Sequence, residues 1–264
     1  MATATVPTLT RGVLPHFERP EEPAIKANSP YGLPIVDHCT TCKLRGGNFF
    51  CNLPSAALRS LEGVKHVTSY PEGALVLMEG QAARGAYVIC QGRAKLMTTN
   101  REGKTLILKI AGPGEVLGLH SVVAGTAYEL TVETLQPCQL AFVGREDMLR
   151  LLKEHGEACL RAAQHISRDC QSAVDAIRSI GLSHSVLERL ARLLLQWLPE
   201  GRENGGGARV KLALTHEEIS QLIGASRETV TRTLSELKKK QIAELNGSTL
   251  IVRDRAALKA MVED

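Results

Sequence analysis

From about Val64 to Val143 the apolar positions fall in short β-branched runs: GALVLMEG at 73–80, GAYVICQGRAKLM at 85–97, KTLILKI at 104–110 and ELTVETL at 129–135. Glycines at 73, 80, 85, 92, 103, 112, 114 and 118 punctuate them. Short apolar runs between turn residues predict strands, and their even spacing predicts a compact antiparallel β-barrel or roll. NREG at 100–103 reads as a polar hairpin tip, and GPGEVLGL at 112–119 combines glycines, a proline and an acid in the manner of a ligand-facing loop.

The period then becomes helical. Ala163, Ile166, Cys170, Ala173, Ile177 and Ile180 follow a 3,4,3,4,3 spacing, which keeps one narrow apolar seam on the same side for about five turns. A seam that narrow predicts a partner helix; a helix packed on its own β-domain would carry a wider stripe. Arg161, Arg168, Asp169 and Asp175 fall outside the seam and read as a solvated face. After a break at Gly181 and Ser183 comes a second helix, SVLERLARLLLQWLPEG at 185–201, and then a flexible loop, GRENGGGA at 201–208.

The last segment has the densest local signals. Thr215 and Glu218 have capping-box spacing, so a short helix starts there with Ile219, Leu222 and Ile223 inward, and Gly224 ends it. Ser226 caps a second helix with Val230, Leu234 and Leu237 on one side and Arg227, Glu228, Thr231, Arg232 and Ser235 on the other. Two helices joined by a glycine turn form a helix-turn-helix, whose second helix enters the major groove of double-stranded DNA. The exposed chemistry suits base edges: arginine for guanine, glutamate for cytosine N4, threonine for thymine. Lys238, Lys239 and Lys240 end that helix, where they favour its negative dipole end; the run reads equally as a solvated helix end or as phosphate contacts, the latter assigned to Lys239. A hairpin with an Asn246-Gly247 turn then supplies a wing.

Composition adds limits. At 264 residues the chain predicts two domains with a core each. Pro7, Pro15, Pro20, Pro23, Pro30 and Pro34 occupy a stretch without apolar period, read as a mobile arm. The formal charge of +4 names no partner by itself. No segment approaches the roughly 18 apolar residues of a membrane span, and no signal segment is evident, so a soluble cytoplasmic protein is expected. Seven cysteines, an odd number, argue against a disulfide scaffold.

Three of those cysteines, Cys39, Cys42 and Cys51, crowd into HCTTCKLRGGNFFC at 38–51. The residues alone leave metal ligands and free thiols open. A redox pair at Cys39 and Cys42 would make the chain a thiol oxidoreductase, but that predicts a thioredoxin-like βαβ unit and none follows, so no enzyme is expected. Cys90, in a strand, and Cys159, on the long helix, read as small core residues.

The order β-roll, long helix, winged helix-turn-helix resembles the CRP/FNR superfamily of bacterial transcription regulators over most of residues 37–260. SRETVTR at 226–232 is similar to the family's recognition-helix signature and maps base-reading roles onto Arg227, Glu228, Thr231 and Arg232. The resemblance implies an α+β chain: an arm at 1–36, a cysteine loop and cyclic-nucleotide-binding-like antiparallel β-roll at 37–156, a dimerisation helix at 157–181, and a winged helix-turn-helix at 182–264. It also implies a homodimer on inverted half-sites, with RNA polymerase as a partner. Two branches diverge here. Members that bind cyclic AMP hold its phosphate with an Arg-Ser pair, and those positions correspond to Tyr128 and Glu129, so cyclic AMP is not expected. The oxygen-sensing branch implies a [4Fe-4S] cluster on Cys39, Cys42, Cys51 and Cys138. A regulator with another small effector in the β-roll and no cluster is the alternative.

Overall fold

The computed structural model describes residues 31–33, 38–43, 50–198, 208–212 and 214–263. The arm read over 1–36, apart from 31–33, and the glycine-rich loop at 201–207 lie outside them.

Strands β1 (Lys65–Tyr70), β2 (Leu75–Leu77), β3 (Gly85–Gln91), β4 (Ala94–Thr99), β5 (Thr105–Ala111), β6 (Val116–Leu117), β7 (Thr131–Thr134) and β8 (Cys138–Gly144) form two four-stranded antiparallel sheets. Their orders are β1-β8-β3-β6 and β2-β7-β4-β5. The NREG tip is as read: Thr99 pairs with Thr105, and the Asn100 side chain accepts from the Glu102 and Lys104 amides. Alternation along a strand sends successive side chains to opposite faces. Ile89, Leu117, Cys138 and Leu140 therefore point into the roll against Leu77, Ala94, Ala111 and Val132 of the other sheet. Ala86, Val88, Val116, Ala141 and Val143 point outwards and need a cover.

Helices that the strand pattern did not announce supply it. A 3-10 turn at Phe50–Asn52 and α1 (Ser55–Val64) lay Phe50, Leu53, Ala57, Leu58 and Leu61 on that outer face. Helix α2 (Leu119–Ala124) adds Leu119 and Val122, and α3 (Arg145–Glu154) adds Met148 and Leu151.

Helix α4 (Gly156–Leu182) has 27 residues and is about 40 Å long. Its buried residues, Ala158, Ala162 and His165, all lie in its first half. Asp169 is a correction to the solvated-face reading. Its carboxylate pairs with Lys109 Nζ at 2.8 Å and with His165 Nδ1 at 2.9 Å, while His165 Nε2 accepts from the Val116 amide at 3.0 Å. Burial works against the Asp169 charge, but the hydrogen bonds from His165 and Lys109 hold the carboxyl below its ordinary range.

The C-terminal unit comprises α5 (Val186–Trp197), β9 (Ala208–Lys211), α6 (His216–Ile223), α7 (Arg227–Lys239), β10 (Ala243–Asn246), β11 (Thr249–Val252) and α8 (Arg255–Glu263). The wing is a three-stranded antiparallel sheet in the order β10-β11-β9. Its turn falls one residue later than read. Asn246 pairs with Thr249, so Gly247 and Ser248 make the loop, and Gly247 at φ 56° suits the first central position of a type II′ turn. Leu135 and Ile110 of the β-roll pack into this unit's core. Lys95 joins the two, bonded to Glu133 at 2.9 Å and to Glu218 at 3.2 Å. Among the described residues no helix is long and apolar enough to cross a membrane.

Candidate functional site

The helix-turn-helix is built by local caps. Thr215 and Glu218 form the reciprocal capping box of α6, Arg189 Nε bonds the Ile223 carbonyl at 2.8 Å, and Gly224 closes the helix at φ 63°. Ser226 Oγ then accepts from the Thr229 amide at 3.2 Å and starts α7. Val230, Thr233, Leu234 and Leu237 are buried, which turns Arg227, Glu228, Thr231, Arg232 and Ser235 to the exposed side together. The Thr231 hydroxyl bonds the Arg227 carbonyl at 2.9 Å and stands 3.0 Å from His216 Nδ1, so what Thr231 offers outwards is its methyl. Hydrogen bonds from its own amide and from Ser226 hold the Glu228 carboxyl below its usual range, so it is an acceptor at neutral pH. Lys239 and Lys240 are exposed, whereas Lys238 stands 3.5 Å from Glu244, which Arg253 also binds.

The structure groups the thiols differently from the set that the family resemblance implies. Cys39, Cys42 and Cys51 line one small apolar pocket with Phe50, Leu61, Val88 and Ala141, and the fourth cysteine in its wall is Cys90, not Cys138. Helix α1 holds the Cys-x-x-Cys turn there: Glu62 accepts from the Thr40 amide at 3.2 Å. Lys65, at the start of β1, donates to Cys39 Sγ at 3.0 Å and is the cation in the pocket wall. Burial pushes the Cys51 and Cys90 thiols up to about 12. The sheets among the described residues are all antiparallel, so the βαβ unit that a redox pair at Cys39 and Cys42 predicts is not found there. Among the described residues no three His, Cys, Asp or Glu side chains are already drawn together around a single-ion position. The donor set does fit an iron–sulfur cluster in kind: thiolates, a largely apolar wall, and a neighbouring cation.

Cys138 is fully buried on the inner face of its sheet, with its thiol directed to the Arg93 and Gln136 carbonyls at 3.3 and 3.2 Å. Cys159, read as core, is exposed.

A cleft of about 460 Å³ opens between the β-roll and α4. Leu77, Leu96, Val116, Leu119 and Val132 give it an apolar lining, and Tyr128 and Glu129 are part of its wall. The Tyr128 hydroxyl donates to the Gly85 carbonyl at 2.7 Å, Glu129 pairs with His120 at 3.1 Å, and Lys109 is held by Glu115 and Asp169.

Along α4, Ala163, Cys170, Ala173 and Ile177 of the predicted seam are exposed, Ile177 by 70%. Ile166 packs partly on the β-roll, and Ile180 lies against Gly224 of the helix-turn-helix. Leu160, 52% exposed, extends the uncovered apolar stripe by a turn and is one that the seam count missed.

Two family models match this arrangement in order. The model of the cyclic nucleotide-binding domain covers residues 67–155, and that of the Crp-like helix-turn-helix domain covers residues 188–261. The cAMP-activated global transcriptional regulator CRP of Salmonella typhimurium is 25% identical over 190 residues, 71% of this chain and 89% of that protein. The CRP-like cAMP-activated global transcriptional regulator of Mycobacterium tuberculosis is 25% identical over 216 residues, 81% of this chain and 96% of that protein. The solved structure of FixK2 from Bradyrhizobium japonicum has the same fold, with a TM-score of 0.66 at 22% identity, covering 75% of this chain and 97% of that one.

Proposed function

The chain belongs to the CRP/FNR family of transcription regulators, a cyclic nucleotide-binding-type domain followed by a Crp-like helix-turn-helix, and from that premise we propose a homodimer that reads an inverted repeat and senses oxygen or redox state through a [4Fe-4S] cluster. The observation that carries the DNA-reading role is the exposed row Arg227, Glu228, Thr231, Arg232 on a capped α7. Arg227 and Arg232 donate to guanine, Glu228 accepts from cytosine, the Thr231 methyl meets thymine, and Lys239 binds phosphate. Ser226 fixes the start of the reading helix, and a helix N-terminus of this kind suits a phosphate of the DNA backbone.

The dimer rests on the free half of α4. Its uncovered apolar positions face outwards for several turns, and a long helix gains most of its stability from packing. Two such helices, seam to seam, set the separation of two reading heads. RNA polymerase is the partner that a regulator bound at a promoter engages, and the cytoplasm is where it meets DNA.

The sensor reading rests on Cys39, Cys42 and Cys51 converging on one pocket beside Lys65. A cluster bound there supplies an oxygen-labile iron and sulfide core. The chain's part is to give up thiol protons on ligation, to hold the N-terminal turn against the β-roll, and to keep a cation near the thiolates. A second reading rests on the 460 Å³ cleft, a size that suits a small effector. Its cations are already paired with carboxylates, and Glu129 falls at a position to which the family resemblance assigns phosphate binding, which argues against the cyclic AMP named for the relatives.

Anaerobic purification tests both readings. The sensor reading predicts brown protein with about four iron and four sulfide per chain, and DNA affinity that changes on exposure to air. Colourless protein with stoichiometric zinc, or none, with DNA affinity indifferent to air, would leave the regulator and reject the sensor.

A further inference from the structure

We propose that Cys90 is the fourth thiolate of the N-terminal cysteine site, in place of Cys138; this rests on the sensor reading above. Strand parity makes the argument. On β3, Ala86, Val88 and Cys90 share the outer face of the sheet, and on β8 Ala141 and Val143 do the same. Cys138 is in phase with Leu140, whose side chain is inside the roll, so the body of the sheet separates its sulfur from Cys39, Cys42 and Cys51. Reaching them would require a one-residue slip of β8, which turns every side chain on that strand to the wrong face.

The inner position of Cys138 is also tightly built. Gly92 lies directly against its Sγ, so close that a Cβ on that residue would collide with the sulfur. Cys90, by contrast, is freed by an irregularity in the ladder. Ile89 pairs with Leu140 and Gln91 with Gln139, which leaves Cys90 unpaired between them in a β-bulge. A bulge of this kind re-aims a side chain, and here it delivers the thiol to the pocket that Cys39, Cys42, Cys51 and Lys65 also line. The four thiols then come from the Cys-x-x-Cys turn, the 3-10 turn at Phe50–Asn52 and strand β3, so ligation would staple the two N-terminal turns to the strand.

Placement on β3 also gives the staple a short route to the long helix. The neighbouring Ile89 accepts from the Gly114 amide at 2.7 Å and donates to the Glu115 carbonyl at 2.9 Å. Glu115 binds Lys109 at 2.5 Å, and Lys109 binds Asp169 on α4 at 2.8 Å. A shift of Cys90 on losing its ligand would therefore bear on the packing of α4 through backbone and ion-pair contacts.

The test uses the full chain, purified anaerobically and reconstituted with ferrous iron and sulfide, as wild type and as Cys39→Ser, Cys90→Ser and Cys138→Ser. Cys90→Ser should lose the visible absorption and the iron and sulfide as Cys39→Ser does, while Cys138→Ser keeps them. Loss in Cys138→Ser with retention in Cys90→Ser, or retention in both, overturns the assignment. A folding defect is separated by alkylating wild type with N-ethylmaleimide before and after a chelator strips the iron, and mapping the adducts by mass spectrometry. Cys39, Cys42, Cys51 and Cys90 should become reactive together, with Cys138 unchanged; protection of Cys138 but not Cys90 by iron would sink the proposal. Wild type that takes up no iron rejects the sensor reading itself, a different outcome from an error in the fourth ligand.

Discussion

Replacing Ile177 with glutamate attacks an apolar position of α4 that is left uncovered among the described residues. Ile177 is 70% exposed in the single chain, and burying an isoleucine fully stabilises by about 1.5–3 kcal/mol, so covering this one in a seam contributes about 1–2 kcal/mol per chain. Two symmetry-related copies make that about 2–4 kcal/mol, or a dissociation constant raised about 30- to 700-fold, before any cost of desolvating two facing carboxylates. Glutamate is a good helix former, so α4 itself should survive, and circular dichroism should show wild-type helix content. Sedimentation velocity over a concentration series measures the shift, with Ile177→Leu as the control that keeps the dimer. A glutamate variant with wild-type helix content and an unchanged dissociation constant would refute the seam and move the interface elsewhere.

Arg232→Ala should cost about 1–3 kcal/mol per half-site by removing a bidentate guanine contact, and a gel-shift titration at fixed salt should show the loss on the inverted repeat with the dimer intact. Lys239→Gln should weaken binding to all sequences alike and flatten the dependence of affinity on salt; a loss confined to one base position would contradict the phosphate role. Asp169→Asn should destabilise the chain at neutral pH. The folded-state pKa of Asp169 is lowered, so its contribution is present above the ordinary carboxylate value of 3.8 and fades as pH falls through the folded value. Urea unfolding of wild type and variant should therefore converge in acid, and a gap that stays constant with pH would contradict the Lys109–Asp169–His165 network.

The reading helices were legible because their signals are local. Thr215 and Glu218 cap within one turn, Gly224 is needed at positive φ, and Ser226 restarts the chain, so three or four adjacent residues decide each boundary. The wing was legible too, but its register was not: which residue of Asn246-Gly247-Ser248 starts the turn depends on pairing with β9 as well as on turn preference. Helix α1 was hidden because its apolar positions Ala57, Leu58 and Leu61 make a short pattern that only acquires meaning against the outer face of the sheet.

The thiol site shows where sequence runs out. Cys138 was chosen by family likeness, and the side of the sheet on which a strand residue lies depends on register across the whole roll. A signal for Cys90 was present: Ala86, Val88 and Cys90 alternate with Tyr87 and Ile89, so both faces of that strand are apolar and its outer face requires a cover. The neighbouring N-terminal segment is what provides it. Asp169 was misread for the opposite reason, since its partner Lys109 is sixty positions away in sequence and the two meet only when α4 lies on the roll.

The most direct measurement of the central claim is enrichment of binding sites from a random duplex library by the full chain, prepared anaerobically and, in parallel, after exposure to air. A symmetric dimer with two α7 reading heads predicts an enriched inverted repeat whose half-sites are centred about 10–10.5 base pairs, or about 34–36 Å, apart, with the enrichment differing between the two preparations. Enrichment of no sequence, or of an isolated half-site equally in both, would contradict the account.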